Sequence, residues 1–515
     1  MHIQKAITIL LFCMMNLTAC DDSTAPVTST LIRNAEVHDG SGSAATHAAL
    51  RIDGDRIIEI GDLEALPGEV VIDATGLALA PGFIDTHSHH DSDWQEYRHM
   101  PGVLSQGVTT FIRGADGSSD ADGKHQPVQA FINEFELSPA AVNIASFSAH
   151  NSIRYAVMGD DNRRPATADE VAAMAALVEA DMSNGAIGLA TGLEYEPGIF
   201  SETGEVIELA KVAASFGGRY MSHVRDEDDL QMAAFAEVIR IGREAKLPVH
   251  ISHIKLADRE YWGTSDAVLE ELNAARDEGV QVSADIYPYQ RWASNLAVLF
   301  PERDYADRSV ADFTFEHTAA PEDIVLSHYG PNPEFSGLSV AEVASILEKD
   351  VATTLMELAQ AADDYRKETG RGGAGIIAKG MDEGDVAALM LWEHTNICSD
   401  GGHGGGHPRG YGAFPRVLGR FVRDLGVLSL ENAIYKMTAL PARNMGLRER
   451  GSIEVGHYAD LVLFDPREIE DRSTMQDPTA LSVGIAKVWV NGVLAFDEGK
   501  STAVYPGRVV GRGTP

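Results

Sequence analysis

The sequence predicts an α/β protein: a (β/α)8 TIM-like barrel joined to a small β-sandwich domain that both ends of the chain build. Three observations carry this. Eight short apolar runs alternate with amphipathic stretches through the middle of the 515-residue chain, the pattern of strands and helices taken in turn. Consecutive β-like pieces punctuated by Gly and Asp, without helical stretches between them, occupy both ends. One gap between apolar runs, 108 residues from Tyr287 to Thr395, dwarfs the 30 residues from His223 to His253. It predicts an insertion between strands seven and eight.

The first segment, MHIQKAITILLFCMMNLTACDDS, has one cation (Lys5), a short apolar run and then small residues, the plan of a signal peptide. The run is too short for a permanent bilayer anchor. Its end, Leu17-Thr-Ala-Cys20, resembles a bacterial lipobox. The resemblance implies a lipoprotein signal over residues 1–20 and lipidation of Cys20. The mature protein would then be periplasmic and held to the membrane by its lipid, with Asp21 favouring the inner membrane. Residues 21–30 form a polar tether. The chain has three cysteines, Cys13, Cys20 and Cys398. With the first removed and the second lipidated, Cys398 stands alone and no disulfide forms in the mature chain.

Residues 31–80 hold LIRNAEVHDG, ALRIDGDRIIEIGD and EVVIDATGLALAPG; residues 446–515 hold GSIEVGHYADLVLFD and AKVWVNGVLAFDEG. The Asn491-Gly492 pair signals a tight hairpin. These two segments make the small β-domain. Residues 81–445 make the barrel. Its strands are FIDTHSH (83–89), TTFIRG (109–114), NIASFSA (143–149), AIGLAT (186–191), RYMSHV (219–224), PVHISH (248–253), QVSADIY (281–287) and TNICSD (395–400). The insertion, about 300–385, is expected to cover the barrel mouth.

Composition narrows the function. A chain 44% hydrophobic and 7% aromatic reads as a globular protein of enzyme size. With 77 acids against 41 Lys and Arg, the net charge of −36 argues against nucleic acid as a partner.

Barrels of this kind place chemistry at the C-terminal ends of their strands. In PGFIDTHSHHD, His87 and His89 lie two apart and point the same way, opposite Ser88 and His90. Strand two runs into Gly114-Ala-Asp116-Gly117; strands three, five, six and eight end at His150, His223, His253 and Asp400. Imidazole and carboxylate together suit zinc, and a catalytic zinc keeps one position for water. A neighbouring carboxylate, Asp400, can take that water's proton and pass it to a leaving amine. Such a set suits hydrolysis of an amide C–N bond.

Those stretches, with QGVTTFIRGADG, IGLATGLEYEPG, YMSHVRDE, ISHIK and SDGGHGGGHPRGYGAFPRVLGRFVR, resemble the amidohydrolase superfamily, and within it the N-acyl-D-amino-acid deacylase (D-aminoacylase) branch. The resemblance spans roughly residues 31 to 500. It implies metal-dependent hydrolysis of N-acyl-amino acids, of the D series by family likeness, to a carboxylate and a free amino acid. It implies one or two zinc ions: His223 and His253 on the tightly held ion, His87 and His89 on a second, and Asp400 as acid/base and ligand. Lys255 and Arg409 match groups that hold the substrate carboxylate, Tyr195 a carbonyl-polarising group, and Tyr289 and Ser294 weaker substrate contacts.

Two departures stand out. Where well-known members carry a bridging cysteine, this chain has Asp116, expected either to bridge as a carboxylate or to be a loop residue beside a one-metal site. The glycine-rich loop from Asp400 to Arg409 looks shorter than in the family, and its His403 and His407 are expected to be flexible and solvated. For His150, metal contact and support of a ligand both stay open; Cys398 is expected to be core packing. The rival reading is a cyclic-amide hydrolase of the dihydropyrimidinase or hydantoinase type, which usually carries a bridging carbamylated lysine after strand four. AIGLATGLEY has none. The other rival is a non-catalytic, lipid-tethered binding protein. Oligomeric state is not legible in the sequence.

Overall fold

The two ends of the chain meet in one sheet. The computed structural model describes residues 29–92, 94–119, 124–404 and 406–512; the signal segment, Cys20 and most of the tether lie outside them. Nine strands form the terminal sheet. Its central pairing sets Leu461–Phe464 antiparallel to Ala78–Pro81, with Leu461 opposite Pro81 and Phe464 opposite Ala78. Side chains alternate across a strand, and here the alternation joins two cores. Leu461 and Leu463 pack with Ile32, Leu50, Ile52 and Trp489 inside the small domain, whereas Val462 and Phe464 pack with Phe83 and Phe414 in the barrel core. The hairpin turn after Ile485–Val490 is Asn491-Gly492, both at positive φ (49° and 77°), as a type I′ turn requires.

Ala78–Pro81 runs through Gly82 into the first barrel strand, Phe83–Asp85. A Cβ on Gly82 would lie 2.2 Å from the Thr109 side chain, so the passage needs glycine. The other barrel strands are Val108–Arg113, Asn143–Ser146 continuing as Ser148–Ala149, Gly188–Gly192, Arg219–His223, Val249–Ile251, Val282–Ile286 and Thr395–Ile397. Neighbouring barrel strands pair in parallel. At the first and last strands, Asp400 N–H donates to His87 O (2.9 Å) and His89 N–H to Gly401 O (2.8 Å). The strands are buried along their length, as parallel strands covered by helices are. A typical covering helix, Gln231–Ala245, buries Ala234, Phe235, Val238, Ile241 and Ala245, a one-sided apolar stripe.

The insertion has its own core. Strands Arg291–Asn295, Val325–Tyr329 and Ala374–Lys379 form an antiparallel sheet with the third in the middle. Its first strand thus begins earlier than the expected boundary near 300. Helices Val340–Leu347 and Val351–Thr369 pack on it through Val340, Val343, Leu355 and Leu358. Trp292 is packed against both this core and the barrel core, which seats the insertion beside the barrel mouth.

Candidate active site

Residues from five barrel strand ends converge at that mouth. Oδ1 of Asp116 stands 3.4 Å from Nε2 of His87 and 3.7 Å from Nε2 of His253; Oδ2 stands 3.4 Å from Nε2 of His89. On one side Asp400 Oδ1 lies 3.5 Å from His87 Nε2 and 3.2 Å from His89 Nε2. On the other, His223 Nδ1 lies 2.9 Å from His253 Nε2. Besides the group Glu194, His223 and Glu227, two potential ligand sets result: His87, His89, Asp116 and Asp400, and Asp116, His223 and His253. Asp116 belongs to both.

The donor set fits divalent cations such as zinc. Imidazole nitrogens and carboxylate oxygens are its usual ligands, and Nε2 of His87 and Oδ1 of Asp116 are buried without a hydrogen-bond partner. Burial lowers the His89 pKa, but Asp116 and Asp400 outweigh it and raise it well above the ordinary value.

Three of these residues hold a left-handed backbone: Asp116 (φ 54°), His253 (φ 34°) and Asp400 (φ 50°). Such conformations cost non-glycine residues on the order of 1 kcal/mol or more each and persist only where the surroundings impose them. Asp285 Oδ1 accepts the His253 N–H at 2.5 Å, while its Oδ2 accepts from Thr86 Oγ1 at 2.9 Å and lies 3.0 Å from His250 Nε2. Asp85 accepts from the N–H (2.9 Å) and hydroxyl (2.5 Å) of Ser399. These carboxylates tie neighbouring strand ends together beneath the ligands.

Two further acids escaped the sequence reading. Glu194 Oε2 sits 2.7 Å from His223 Nε2. Glu227 Oε1 lies 3.2 Å from His253 Nδ1 and 2.5 Å from Lys255 Nζ. His223 and His253 thus each meet a carboxylate through the other nitrogen, which fixes ring and tautomer. Glu227, four residues after His223, and Glu194, beside Tyr195, carried a spacing signal, but acids are too common in this chain for it to stand out.

The substrate residues divide. Tyr195, Lys255, Ser294 and Arg409 line one pocket with His223, His253 and Asp400. Ser294 donates to Tyr195 Oη at 3.3 Å. Burial, with Asp116, Glu194 and Glu227, pushes the Tyr195 phenol well above its usual range, so it stays a hydrogen-bond donor. Lys255 is not a free handle: besides Glu227, its Nζ contacts His253 Nδ1 at 2.8 Å. Arg409 pairs with Asp400, Nη1 to Oδ2 at 2.7 Å. Burial raises the Asp400 pKa, but Arg409, His253 and His87 outweigh it and hold the carboxyl far below the usual range. Tyr289 lines a different recess, with His407 and Arg416; Tyr287, two residues earlier, takes the place in the catalytic pocket.

His150 points away from the ligands, its Nε2 2.8 Å from Glu205 Oε1. His403 and His407, expected to be solvated, are buried. Each is 7% exposed. His403 stacks on Tyr97 and meets His90, Nδ1 to Nδ1, at 3.3 Å. His407 accepts from Arg409 N–H at 3.1 Å, so its Nε2 donates to Arg291 O at 3.0 Å. The glycines let this loop fold back on itself: a Cβ on Gly401 would lie 2.2 Å from Gly410 Cα. Cys398 is fully buried as a free thiol in the barrel core.

The sequence matches the Amidohydrolase family over residues 70–324 and 396–496. It is 36% identical to a D-aminoacylase of Alcaligenes xylosoxydans xylosoxydans over 94% of this chain and 97% of that one. Among solved structures, the zinc- and phosphonate-bound N-acyl-D-glutamate deacylase of Bordetella bronchiseptica superposes with a TM-score of 0.83 at 34% identity, covering 94% of this chain and 99% of that one. A D-aminoacylase studied for one-metal activation and second-metal attenuation of its binuclear centre superposes with a TM-score of 0.82, also at 34% identity and the same coverage.

Proposed function

The chain belongs to the amidohydrolase family, and on that basis we propose that it is a metal-dependent hydrolase of N-acyl-amino acids, of the D series, releasing a carboxylate and a free amino acid. The observation that carries the reading is the position of Asp400, held among two histidine ligands and Arg409 in the pocket that Tyr195 also lines. Similarity to D-aminoacylase and N-acyl-D-glutamate deacylase supports the substrate class and the D series.

His87, His89, Asp116 and Asp400 would hold one zinc ion, and Asp116, His223 and His253 another. A divalent ion held there would supply Lewis-acid chemistry, polarising the amide carbonyl and acidifying the attacking water. The protein supplies the rest. The ionised Asp400 accepts the water proton as water oxygen bonds the carbonyl carbon. It then delivers that proton to the amide nitrogen as the C–N bond breaks. Tyr195, kept protonated, donates to the carbonyl oxygen as charge develops on it. Arg409 holds Asp400 in place and offers its remaining N–H groups to the substrate carboxylate.

The cyclic-amide reading finds less support, since the fourth barrel strand, Gly188–Gly192, carries no lysine. The test is amine release from N-acetyl-amino acids of both hands, with metal content measured on the same preparation. Zinc-loaded protein that releases no amine from any of them would sink the proposal. We extend it to location: residues 1–20 as a lipoprotein signal and Cys20 as the lipidated residue, anchoring the enzyme in the periplasm at the inner membrane. Leu17-Thr-Ala-Cys20 and Asp21 support this, and labelled palmitate incorporated by the native chain but not by Cys20→Ala would test it.

A further inference from the structure

Among the described residues, one acid of the catalytic pocket is paired with neither a cationic side chain nor an imidazole. The pocket's other acids have partners: Asp400 pairs with Arg409 at 2.7 Å, Glu227 with Lys255 at 2.5 Å, and Glu194 accepts from the His223 imidazole at 2.7 Å. Asp228 lines the same pocket. Among the described residues its carboxylate makes no ion pair, and its side-chain partner is the Thr318 hydroxyl, which donates to Oδ1 at 3.3 Å. Thr318 comes from the insertion.

Asp228 is held firmly. The neighbouring Asp226 carboxylate accepts the N–H of Asp228 at 2.9 Å and of Leu230 at 3.1 Å, and Gln231 N–H bonds Asp228 O at 3.3 Å. Burial, with Glu194, Asp226 and Glu227 close by, drives its carboxyl well above the usual range. A carboxyl held among like charges, and in no ion pair among the described residues, takes up its own charge most readily when the ligand brings a cation. The pocket also offers an apolar wall, Trp292, Val298 and Leu299, against which methylene groups can lie.

We propose that Asp228 is a specificity residue selecting N-acyl-amino acids with a cation, an ammonium or guanidinium, at the end of an aliphatic arm remote from the scissile amide. The inference rests on the N-acyl-amino-acid reading and sets this chain apart from a relative that acts on acyl-glutamate. The cation can belong to the amino acid or to the acyl group, and the two sources are separable.

The experiment uses the zinc-loaded full chain and two matched pairs, each supplied with both hands of the amino acid. Nα-acetyl-lysine against N-acetyl-norleucine places the charge on the amino acid; N-(6-aminohexanoyl)-leucine against N-hexanoyl-leucine places it on the acyl group. In one pair kcat/KM is expected to favour the cationic member by about tenfold or more, the range of a charge-assisted hydrogen bond. Asp228→Asn should bring that ratio to about one, and Asp228→Lys should turn the preference toward N-acetyl-glutamate. Equal cleavage within both pairs, or a ratio that survives Asp228→Asn, overturns the inference and leaves the deacylase reading intact. No cleavage of any of the four compounds overturns both.

Discussion

Asp116 faces His87 across 3.4 Å, Oδ1 to Nε2, while the same oxygen stands 3.7 Å from His253 Nε2. One carboxylate thus faces both histidine pairs, at the position where the family resemblance implies a bridging cysteine. Asp116→Ala removes the ligand common to the two sets, so bound metal should fall by at least one equivalent per chain, read by elemental analysis after gel filtration. Metal content equal to the parent's would make Asp116 a loop residue. Asp116→Cys restores a shared ligand that is softer than oxygen, and should retain zinc while losing affinity for manganese.

Arg409 was expected to act on substrate binding, but its ion pair with Asp400 couples it to the chemistry as well. Arg409→Leu leaves Asp400 buried without its cation, an uncompensated loss of a few kcal/mol. We expect kcat to fall on the order of a hundredfold and KM to rise with it. A rise in KM alone, with kcat preserved, would show that the pairing does not serve turnover.

The rim was legible because strand periodicity places it. His87, His89, His223, His253 and Asp400 each close an apolar run, and a run of that kind in a barrel ends at the active face. What lay off the strands was harder. Tyr289 and Tyr287 follow the same strand two residues apart, and only the turn after Ile286 decides which one enters the pocket. His403 and His407 sit among glycines, a composition that usually marks mobile loops; here close backbone packing buries them. Glu194 and Glu227 gain meaning only once the histidine rings are placed, since either could have been one more surface acid in a chain of net charge −36.

His150 shares Glu205 with Arg154, whose guanidinium is fully buried. Burial raises the Glu205 pKa, but His150 and Arg154 outweigh it and keep the carboxyl low. Glu205→Leu strands the Arg154 charge, and breaking a buried pair in this way costs about 3–5 kcal/mol. The thermal midpoint should drop by several degrees while zinc content of the folded fraction stays at the parent level. A parallel loss of metal would instead place His150 among the ligand supports.

Lys436 is 1% exposed and donates to the carbonyls of Trp392 and Thr395. Burial lowers its pKa from 10.5 to about 8. Its folded value lies below the unfolded one, so between pH 8 and 10.5 the unfolded chain binds more protons, and stability rises with pH through that window. Below pH 8 the charged amine weighs on the fold by at most about 3 kcal/mol. Lys436→Met removes this charge at every pH, although it leaves two carbonyls unpaired. The stability of the variant relative to the parent should therefore be most favourable below pH 8 and decline as pH approaches 10.5. Urea unfolding of both proteins across the window reads that slope directly, and a difference that stays flat would mean the amine is solvated in the folded state.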